Sequence, residues 1–179
     1  MEGVFGKPIV TQEEVRTRVR ELGRQITADY THKDLLLIGI LKGAFAFYAD
    51  LARVISLPLR VDFLVVSGVD RNKTENSNIL DNLTEEVAGR EVLLVEDIID
   101  SGRTVQYLRQ IFELRNPKSI KVCALLNKPE RRTVDVVVDY VGFNIPNKFV
   151  IGYGLDYQQK YRNLPYLAAL DQAEEPEGA

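Results

Sequence analysis

Three carboxylates and a small hydroxylated turn occur together in the segment VLLVEDIIDSGRT, residues 92–104. Glu96 and Asp97 are adjacent, so in an extended chain their side chains point to opposite faces. Such a pair suits a polyol or a hydrated cation lying across the end of a strand. Asp100 then opens a turn that leads into a predicted helix, and the free N–H groups and positive dipole end of a helix N-terminus bind phosphate. A single ligand with a phosphate and vicinal hydroxyls, such as ribose 5-phosphate, would use all of these groups.

The same acids also fit a simpler interpretation, a solvated strand end followed by an ordinary helix cap. The other common phosphate motifs are missing from the sequence. No G-x-x-x-x-G-K-[ST] segment occurs, and GYGLDY at 152–157 has only two of the three glycines of a dinucleotide fingerprint. Triphosphate hydrolysis and nicotinamide chemistry therefore lose support.

The elements that must position these residues alternate between strands and helices. We predict helices over 11–30, 42–55 and 103–114, and strands over 35–41, 59–67, 91–96 and 119–127, with later strands near 134–143 and 149–155. Thr11 and Glu14 have capping-box spacing at the start of the first helix. The pattern predicts an α/β fold with a central, mostly parallel sheet flanked by helices. Ligands bind at the carboxyl edge of such sheets, where the acids and the turn would lie.

Composition indicates one globular domain, residues 1–179, since 45% of the chain is hydrophobic and 27% is charged. The net charge of -3 disfavours nucleic-acid and membrane partners. Cys123 is the sole cysteine, which we interpret as a buried strand residue, and the chain has one histidine. No apolar run resembles a membrane span or a signal peptide, so we expect a cytoplasmic protein. Residues 68–80 are expected to form a mobile active-site loop, and residues 171–179 a frayed tail.

Four segments, in order, resemble motifs of the type I phosphoribosyltransferases. VLLVEDIIDSGRT is similar to the family's phosphoribosyl diphosphate signature, and its EDIID form resembles the hypoxanthine-guanine branch. The other three are LKGAF at 41–45, LLNKPERR at 125–132 and FVIGYGLDYQQKYRNLP at 149–165, which resemble the diphosphate loop, the purine-contacting lysine region and the C-terminal hood. The resemblance implies the type I phosphoribosyltransferase fold with a small C-terminal hood. It also implies purine salvage, the Mg²⁺-dependent transfer of 5-phosphoribosyl from phosphoribosyl diphosphate to N9 of hypoxanthine or guanine, giving IMP or GMP and diphosphate.

The resemblance also implies the residues that bind phosphoribosyl diphosphate: Lys42, Gly43, Glu96, Asp97, Ser101, Gly102, Arg103, Thr104 and Arg162. Glu96 and Asp97 would hold the ribose hydroxyls, the latter partly through Mg²⁺ and water, and 101–104 would wrap the 5-phosphate. Asp156 is the expected direct Mg²⁺ ligand, with Glu96 and Asp97 as further metal-site residues. Lys42 and Arg162 would neutralise the departing diphosphate. In the family a cis peptide precedes the residue equivalent to Lys42.

Base recognition is assigned by the same resemblance. Asp100 would face N7 of the purine as general base, or in a rival role stabilise the ribosyl cation. Lys128 would donate to a 6-oxo group, Phe149 would stack on the ring, and the backbone of Val150 would bind its other edge. A 6-amino group cannot accept from an ammonium, so these residues predict oxopurines over adenine.

Several alternatives stay open from the sequence. Ser67-Gly68 stands where the family's mobile loop usually carries Ser-Tyr, which leaves the closure of the loop undetermined. An RNA-binding pyrimidine-operon regulator with uracil phosphoribosyltransferase activity has a similar strand and turn, but such proteins usually replace the residue equivalent to Asp100. A xanthine-preferring enzyme of the same class is a third interpretation. We expect a homodimer or a homotetramer.

Overall fold

A computed structural model describes residues 8–66 and 82–170 of the chain. The elements are α1 (Gln12–Asp29), β1 (Leu35–Leu41), α2 (Phe45–Val54), β2 (Arg60–Val65), β3 (Glu91–Ile99), α3 (Arg103–Glu113), β4 (Ser119–Asn127), a 3-10 turn (Pro129–Arg131), β5 (Tyr140–Asn144), β6 (Val150–Ile151) and β7 (Ala168–Ala169). The alternation of strands and helices confirms the predicted α/β class.

The central sheet has five strands in the order β2-β1-β3-β4-β5, and every neighbouring pair is parallel. Gly39, Val95 and Cys123 lie side by side across β1, β3 and β4. Cys123 is fully buried, as predicted. Strands in a parallel sheet covered on both faces read as continuous apolar runs, which explains why β1 is LLLIGIL. All five carboxyl ends meet at one edge of the sheet.

Helices cover both faces of this sheet. The apolar side of α1 and the buried residues of α2 pack on one face, while α3 packs on the other. The first helix begins as predicted, because the Thr11 side chain accepts from the backbone of Glu14 and the Glu14 side chain accepts from the backbone of Thr11. Burial of the α1 positions Val15, Val19 and Leu22 anchors the helix to the sheet.

Two of the predicted later strands were too long. Of residues 134–143 only those from Tyr140 onward form a strand, because Asp139 takes over the local pairing: its carboxylate accepts the N–H of Val122 at 2.9 Å. The preceding valines Val136 and Val138 pack against the α3 layer instead. Of residues 149–155 only β6 is a strand, since the chain then turns through Gly152, Tyr153 and Gly154 with positive φ.

The predicted loop 68–80, the Ser67-Gly68 departure and the tail 171–179 lie outside the described residues. Where the described chain resumes, Asp62 of β2 binds it: one carboxylate oxygen accepts from the N–H groups of Thr84 at 2.7 Å and Glu85 at 2.9 Å. Within the described ranges, no helix is long and apolar enough to span a membrane.

Candidate active site

A cleft of about 340 Å³ opens at the carboxyl edge of β1 and β3. The residues that line it come from the ends of these strands, the start of α3 and the hood segment 149–165. The predicted site residues among them are Lys42, Gly43, Glu96, Asp97, Asp100, Ser101, Gly102, Thr104, Asp156 and Arg162. The fold therefore brings together the predicted carboxylates, the turn at 100–104, which we call the phosphate turn, and the two cations Lys42 and Arg162.

The phosphate turn connects β3 to α3. Gly102 has φ of 86°, and a Cβ there would lie 2.7 Å from the side chain of Val136, so both conformation and space favour glycine. The first N–H groups of α3 lack intrahelical acceptors, as at any helix start. Arg103 does not line the cleft with its side chain, because its Nε donates to Thr133 Oγ1 at 3.1 Å. Only the backbone of Arg103 is thus placed to contribute to a phosphate site.

The adjacent acids at the end of β3 are held in a poorly solvated position. Glu96 is 6% exposed, and burial, followed by the charge of Asp97, raises its pKa well above the usual range. Burial also raises the pKa of Asp97 to about 6, against the N–H of Ile98 and the charge of Arg162, which lower it, while Asp156 raises it further. Hydroxyl donors or a cation in the cleft would stabilise both carboxylates.

Three segments of chain meet beside Asp97. The Leu41-Lys42 peptide is cis, as the family resemblance implies. A Cβ on Gly43 would lie 1.6 Å from Asp97 Oδ2, so no other residue fits between this loop and the acid. On the other side, a Cβ on Gly154 would lie 2.0 Å from the carbonyl oxygen of Gly43. Backbone approach at both glycines closes the cleft at this point.

The hood places a guanidinium and a carboxylate on the cleft wall. Arg162 Nη2 lies 2.8 Å from Asp156 Oδ1, and Arg162 Nη1 donates to the carbonyl of Gly154 at 2.8 Å. The other oxygen of Asp156 accepts from the N–H of Gln159 at 2.8 Å. This pair is therefore oriented by its own segment before any ligand binds.

No group of three Asp, Glu, His or Cys side chains in the described part of the chain is arranged to hold a metal ion. Asp156, Glu96 and Asp97 thus do not form a metal site from protein ligands alone. Mg²⁺ commonly binds one or two carboxylates together with substrate phosphates. The charges of Asp97 and Asp156 repel each other, and a divalent cation that these carboxylates helped to hold would relieve that repulsion. The metal assignment stays a prediction.

At the opposite end of the cleft, Asp100 lies between two cations. Lys128 Nζ is 3.7 Å from Asp100 Oδ2, and Arg131 Nε donates to Asp100 Oδ1 at 2.8 Å. The Lys128 side chain is 9% exposed. Phe149 is partly buried with its ring edge-on to Tyr157, at 5.9 Å between centroids.

Val150 is buried in β6, and none of the three predicted purine-binding residues, Lys128, Phe149 and Val150, lines the cleft itself. Their assignment to the purine stays a prediction.

Two arginines that follow Lys128, Arg131 and Arg132, were not predicted from the sequence to contact the site. Arg132 Nη1 donates to the carbonyls of Ile99, at 2.9 Å, and Asp100, and its Nη2 donates to Asn127 Oδ1. Arg131 pairs with the Asp100 carboxylate itself. The only signal in the sequence was their position in PERR, directly after the lysine, and nothing in that pattern tells which arginine turns toward the acid.

Comparison with known proteins agrees with this geometry. Residues 7–158 match the model of the phosphoribosyl transferase domain family. The hypoxanthine phosphoribosyltransferase of Salmonella typhimurium is 48% identical over 163 residues, which cover 89% of this chain and 92% of that protein. The hypoxanthine-guanine phosphoribosyltransferase of Streptococcus agalactiae is 43% identical over 172 residues, covering 95% and 96%.

A crystal structure of a hypoxanthine-guanine phosphoribosyltransferase from Bacillus anthracis, with HEPES in its active site, superimposes with a TM-score of 0.86. It is 40% identical and covers 93% of this chain and 99% of that one. The chain belongs to the phosphoribosyltransferase family. The family and the type I fold predicted from the four motifs are confirmed.

Proposed function

We propose that this protein transfers the 5-phosphoribosyl group from phosphoribosyl diphosphate to N9 of hypoxanthine or guanine, releasing diphosphate, as a purine salvage enzyme. The related Salmonella and Streptococcus proteins are named for these bases. The interpretation as an RNA-binding regulator of a pyrimidine operon gains no support from these relatives. A preference for xanthine, the other alternative, gains no support from these relatives either.

The main support for an oxopurine substrate is that the Lys128 ammonium has no hydrogen-bond acceptor among the described residues. Its ammonium has three N–H donors. Among the described residues none accepts a hydrogen bond from it, and the nearest carboxylate oxygen, on Asp100, is 3.7 Å away. The side chain is 9% exposed, and Nζ is not a fully buried atom, so an acceptor on the ligand would replace solvent at this ammonium. The 6-oxo group of hypoxanthine or guanine supplies such an acceptor, whereas the 6-amino group of adenine does not.

Transfer requires stabilisation of two opposite charges. As the bond between C1 of the ribose and the diphosphate breaks, positive charge develops on the sugar and negative charge on the leaving group. The carboxylates Glu96 and Asp97 would stabilise the sugar, and Lys42 and Arg162, which line the same cleft, would stabilise the leaving diphosphate. A forked guanidinium and a compact ammonium can neutralise different oxygens of the leaving group.

Mg²⁺ fits the donors present, and we propose Asp156 and Asp97, with Glu96 nearby, as the residues that would hold it. When bound, it would neutralise diphosphate charge as a Lewis acid. Its requirement is tested by chelation: activity should disappear with EDTA and return with added Mg²⁺. Activity that persists after exhaustive chelation contradicts this assignment.

Asp100 would receive the proton of N7 as N9 attacks the sugar. Its carboxylate lines the cleft next to the phosphate turn and is partly exposed, so a base bound over the turn can reach it. A carboxylate there also favours positive charge on the ribose. Both roles require the ionised form.

We also propose that the protein is cytoplasmic and self-associates as a homodimer or homotetramer. The edge strand β2 exposes Val61, Phe63 and Val65 on one face, at 48%, 42% and 58%. An apolar strip on an edge strand is commonly covered by another copy. Sedimentation velocity tests this: Val61→Glu should shift the protein toward monomer, and an unchanged sedimentation coefficient would exclude the strip as the contact.

The activity is tested by measuring diphosphate release with hypoxanthine, guanine, xanthine and adenine, each with phosphoribosyl diphosphate and Mg²⁺. Hypoxanthine and guanine should be used, with adenine lower in kcat/KM by at least about 100-fold. Adenine turnover equal to that of hypoxanthine would remove Lys128 from base recognition. Turnover confined to xanthine would instead favour a xanthine-preferring enzyme.

A further inference from the structure

Arg131 makes the closest polar contact to the Asp100 carboxylate, yet the proposed reaction assigns it no role. Its Nε donates to Asp100 Oδ1 at 2.8 Å, whereas Lys128 Nζ and Asp100 Oδ2 lie 3.7 Å apart. The side chain of Arg131 is 45% exposed and that of Lys128 is 9% exposed. One carboxylate thus stands between a surface guanidinium and a buried ammonium.

The pairing of Arg131 with Asp100 is built into the backbone. The N–H of Lys128 donates to the carbonyl of Ile99 at 3.0 Å, and the N–H of Thr133 donates to the carbonyl of Ser101 at 3.1 Å. Hydrogen bonds on both sides therefore fasten the 3-10 turn to the Asp100 turn. The carboxylate also raises the pKa of Arg131, which stays charged.

This second cation resolves a conflict within the site. The ammonium of a largely buried lysine is attracted to a neighbouring carboxylate that has no other partner, and more strongly than it would be in bulk water. The neutral oxygen of an oxopurine is a weaker acceptor than a carboxylate. If Lys128 were the sole counter-ion of Asp100, the acid would compete with the base for the same ammonium.

We propose that Arg131 is a positioning residue for base selection: it serves as the counter-ion of Asp100 and thereby leaves the Lys128 ammonium free to donate to the 6-oxo group. This inference rests on the proposed function, since it takes Lys128 as the donor to the purine. Without the guanidinium, Lys128 turns toward Asp100 and the 6-oxo group loses its donor. Affinity for oxopurines then falls, while affinity for a purine with nothing at position 6 is largely kept.

The test compares the parent with Arg131→Gln, using hypoxanthine as substrate and unsubstituted purine as a competitive inhibitor. We expect the KM for hypoxanthine to rise about tenfold or more, the value of losing a charge-assisted hydrogen bond, with a much smaller change in the inhibition constant of purine. Arg131→Lys should retain most of the preference, because it keeps the charge. Equal losses for both ligands would mean that Arg131 merely maintains the cleft, and would overturn the proposal.

A double substitution isolates the route through Lys128. In a Lys128→Met background, Arg131→Gln should have little further effect on hypoxanthine, so the two losses should not add. Additive losses would overturn the proposal. Arg131→Met is a second way to remove the charge if Gln at this position destabilises the fold, which thermal denaturation would reveal.

A matched control is Arg16→Gln on α1, which removes an exposed arginine 3.8 Å from Glu13 and outside the cleft. It should leave both ligands unaffected. A parent that forms no nucleotide from any oxopurine contradicts the proposed function, whereas an active parent whose base preference is unchanged in Arg131→Gln contradicts this inference alone.

Discussion

At the scale of single residues, Asp100 tests the chemistry most directly. Asp100→Asn keeps the size of the side chain and removes its charge and its basic lone pair. The Arg132 contacts to the carbonyls of Ile99 and Asp100 do not depend on the carboxylate, so the phosphate turn should keep its shape. We expect a loss of roughly 10²- to 10⁴-fold in single-turnover nucleotide formation, the usual contribution of a general base.

The affinity of Asp100→Asn for phosphoribosyl diphosphate should change far less than its rate. Rapid-quench kinetics and ligand titration separate the two quantities. Chemistry within about threefold of the parent would show that Asp100 is neither base nor cation stabiliser.

Lys42 and Arg162 should contribute more to the affinity for the diphosphate substrate than to the affinity for the product nucleotide. Arg162→Ala and Lys42→Ala each remove positive charge near the expected leaving group, which the product nucleotide lacks. We therefore expect a loss of about tenfold or more in affinity for phosphoribosyl diphosphate and a smaller loss for IMP. Calorimetric titration with both ligands measures the difference, and equal losses would contradict the assignment. Arg162 also braces the hood through Gly154, so Lys42→Ala is the cleaner variant.

At the scale of elements, the hood and the loop after β1 are coupled by backbone contact. Gly154 has φ of 107°, and a Cβ would lie 2.0 Å from the carbonyl oxygen of Gly43. We expect Gly154→Ala to reduce the free energy of unfolding by roughly 2 to 4 kcal/mol, from the left-handed backbone and the clash together. Affinity for phosphoribosyl diphosphate should fall too, because Gly43 must move.

Gly89→Ala separates these two causes. Gly89 also has positive φ, 72°, but nothing lies within 4 Å of its Cβ position. It should therefore lose only about 1 to 2 kcal/mol and leave the catalytic constants unchanged. Chemical denaturation of both variants gives the comparison, and similar losses in stability and affinity would refute the close contact.

The elements also show which parts of the fold a sequence can specify. The first helix and the strands β1, β3 and β4 were predicted within a few residues, because long apolar runs and helical periods report burial directly. Residues 134–139 have the valine content of a strand, yet Val136 and Val138 pack against the α3 side of the core. Membership of a sheet depends on a neighbouring strand, which local sequence does not show. Strand β7 has only two residues, which is too short for an alternating hydrophobic pattern, so the sequence did not predict it.

Some features of the site could likewise be predicted from the sequence, and others could not. The β3-to-α3 turn was found because its chemistry is contiguous in sequence. Asp156 and Arg162 were placed through the family motif, and the structure brings both to the same cleft. The pairing of Arg131 with Asp100 joins residues 31 positions apart, and only the folded chain reveals it.

At the scale of the whole molecule, the buried acids of the cleft make stability depend on pH. Folding raises the pKa of Asp97 from an ordinary value of 3.8 to about 6. Between these values the folded protein holds a proton that the unfolded chain has released. The associated stability is present at low pH and is lost as the pH rises through about 6. Above that pH the protein keeps an unfavourable charge in the cleft until a ligand compensates it.

Asp97→Asn should therefore stabilise the ligand-free protein near neutral pH. We expect its free energy of unfolding, measured in EDTA, to exceed that of the parent by roughly 1 to 3 kcal/mol above about pH 6.5, with the advantage shrinking toward about pH 4. Asp135→Asn, at an exposed position, controls for the loss of one surface charge. A difference that stays level across this range would show that Asp97 carries no such penalty. Substrate affinity should fall in the same variant, because the charge that destabilises the free protein is the one proposed to bind the ribose and the metal.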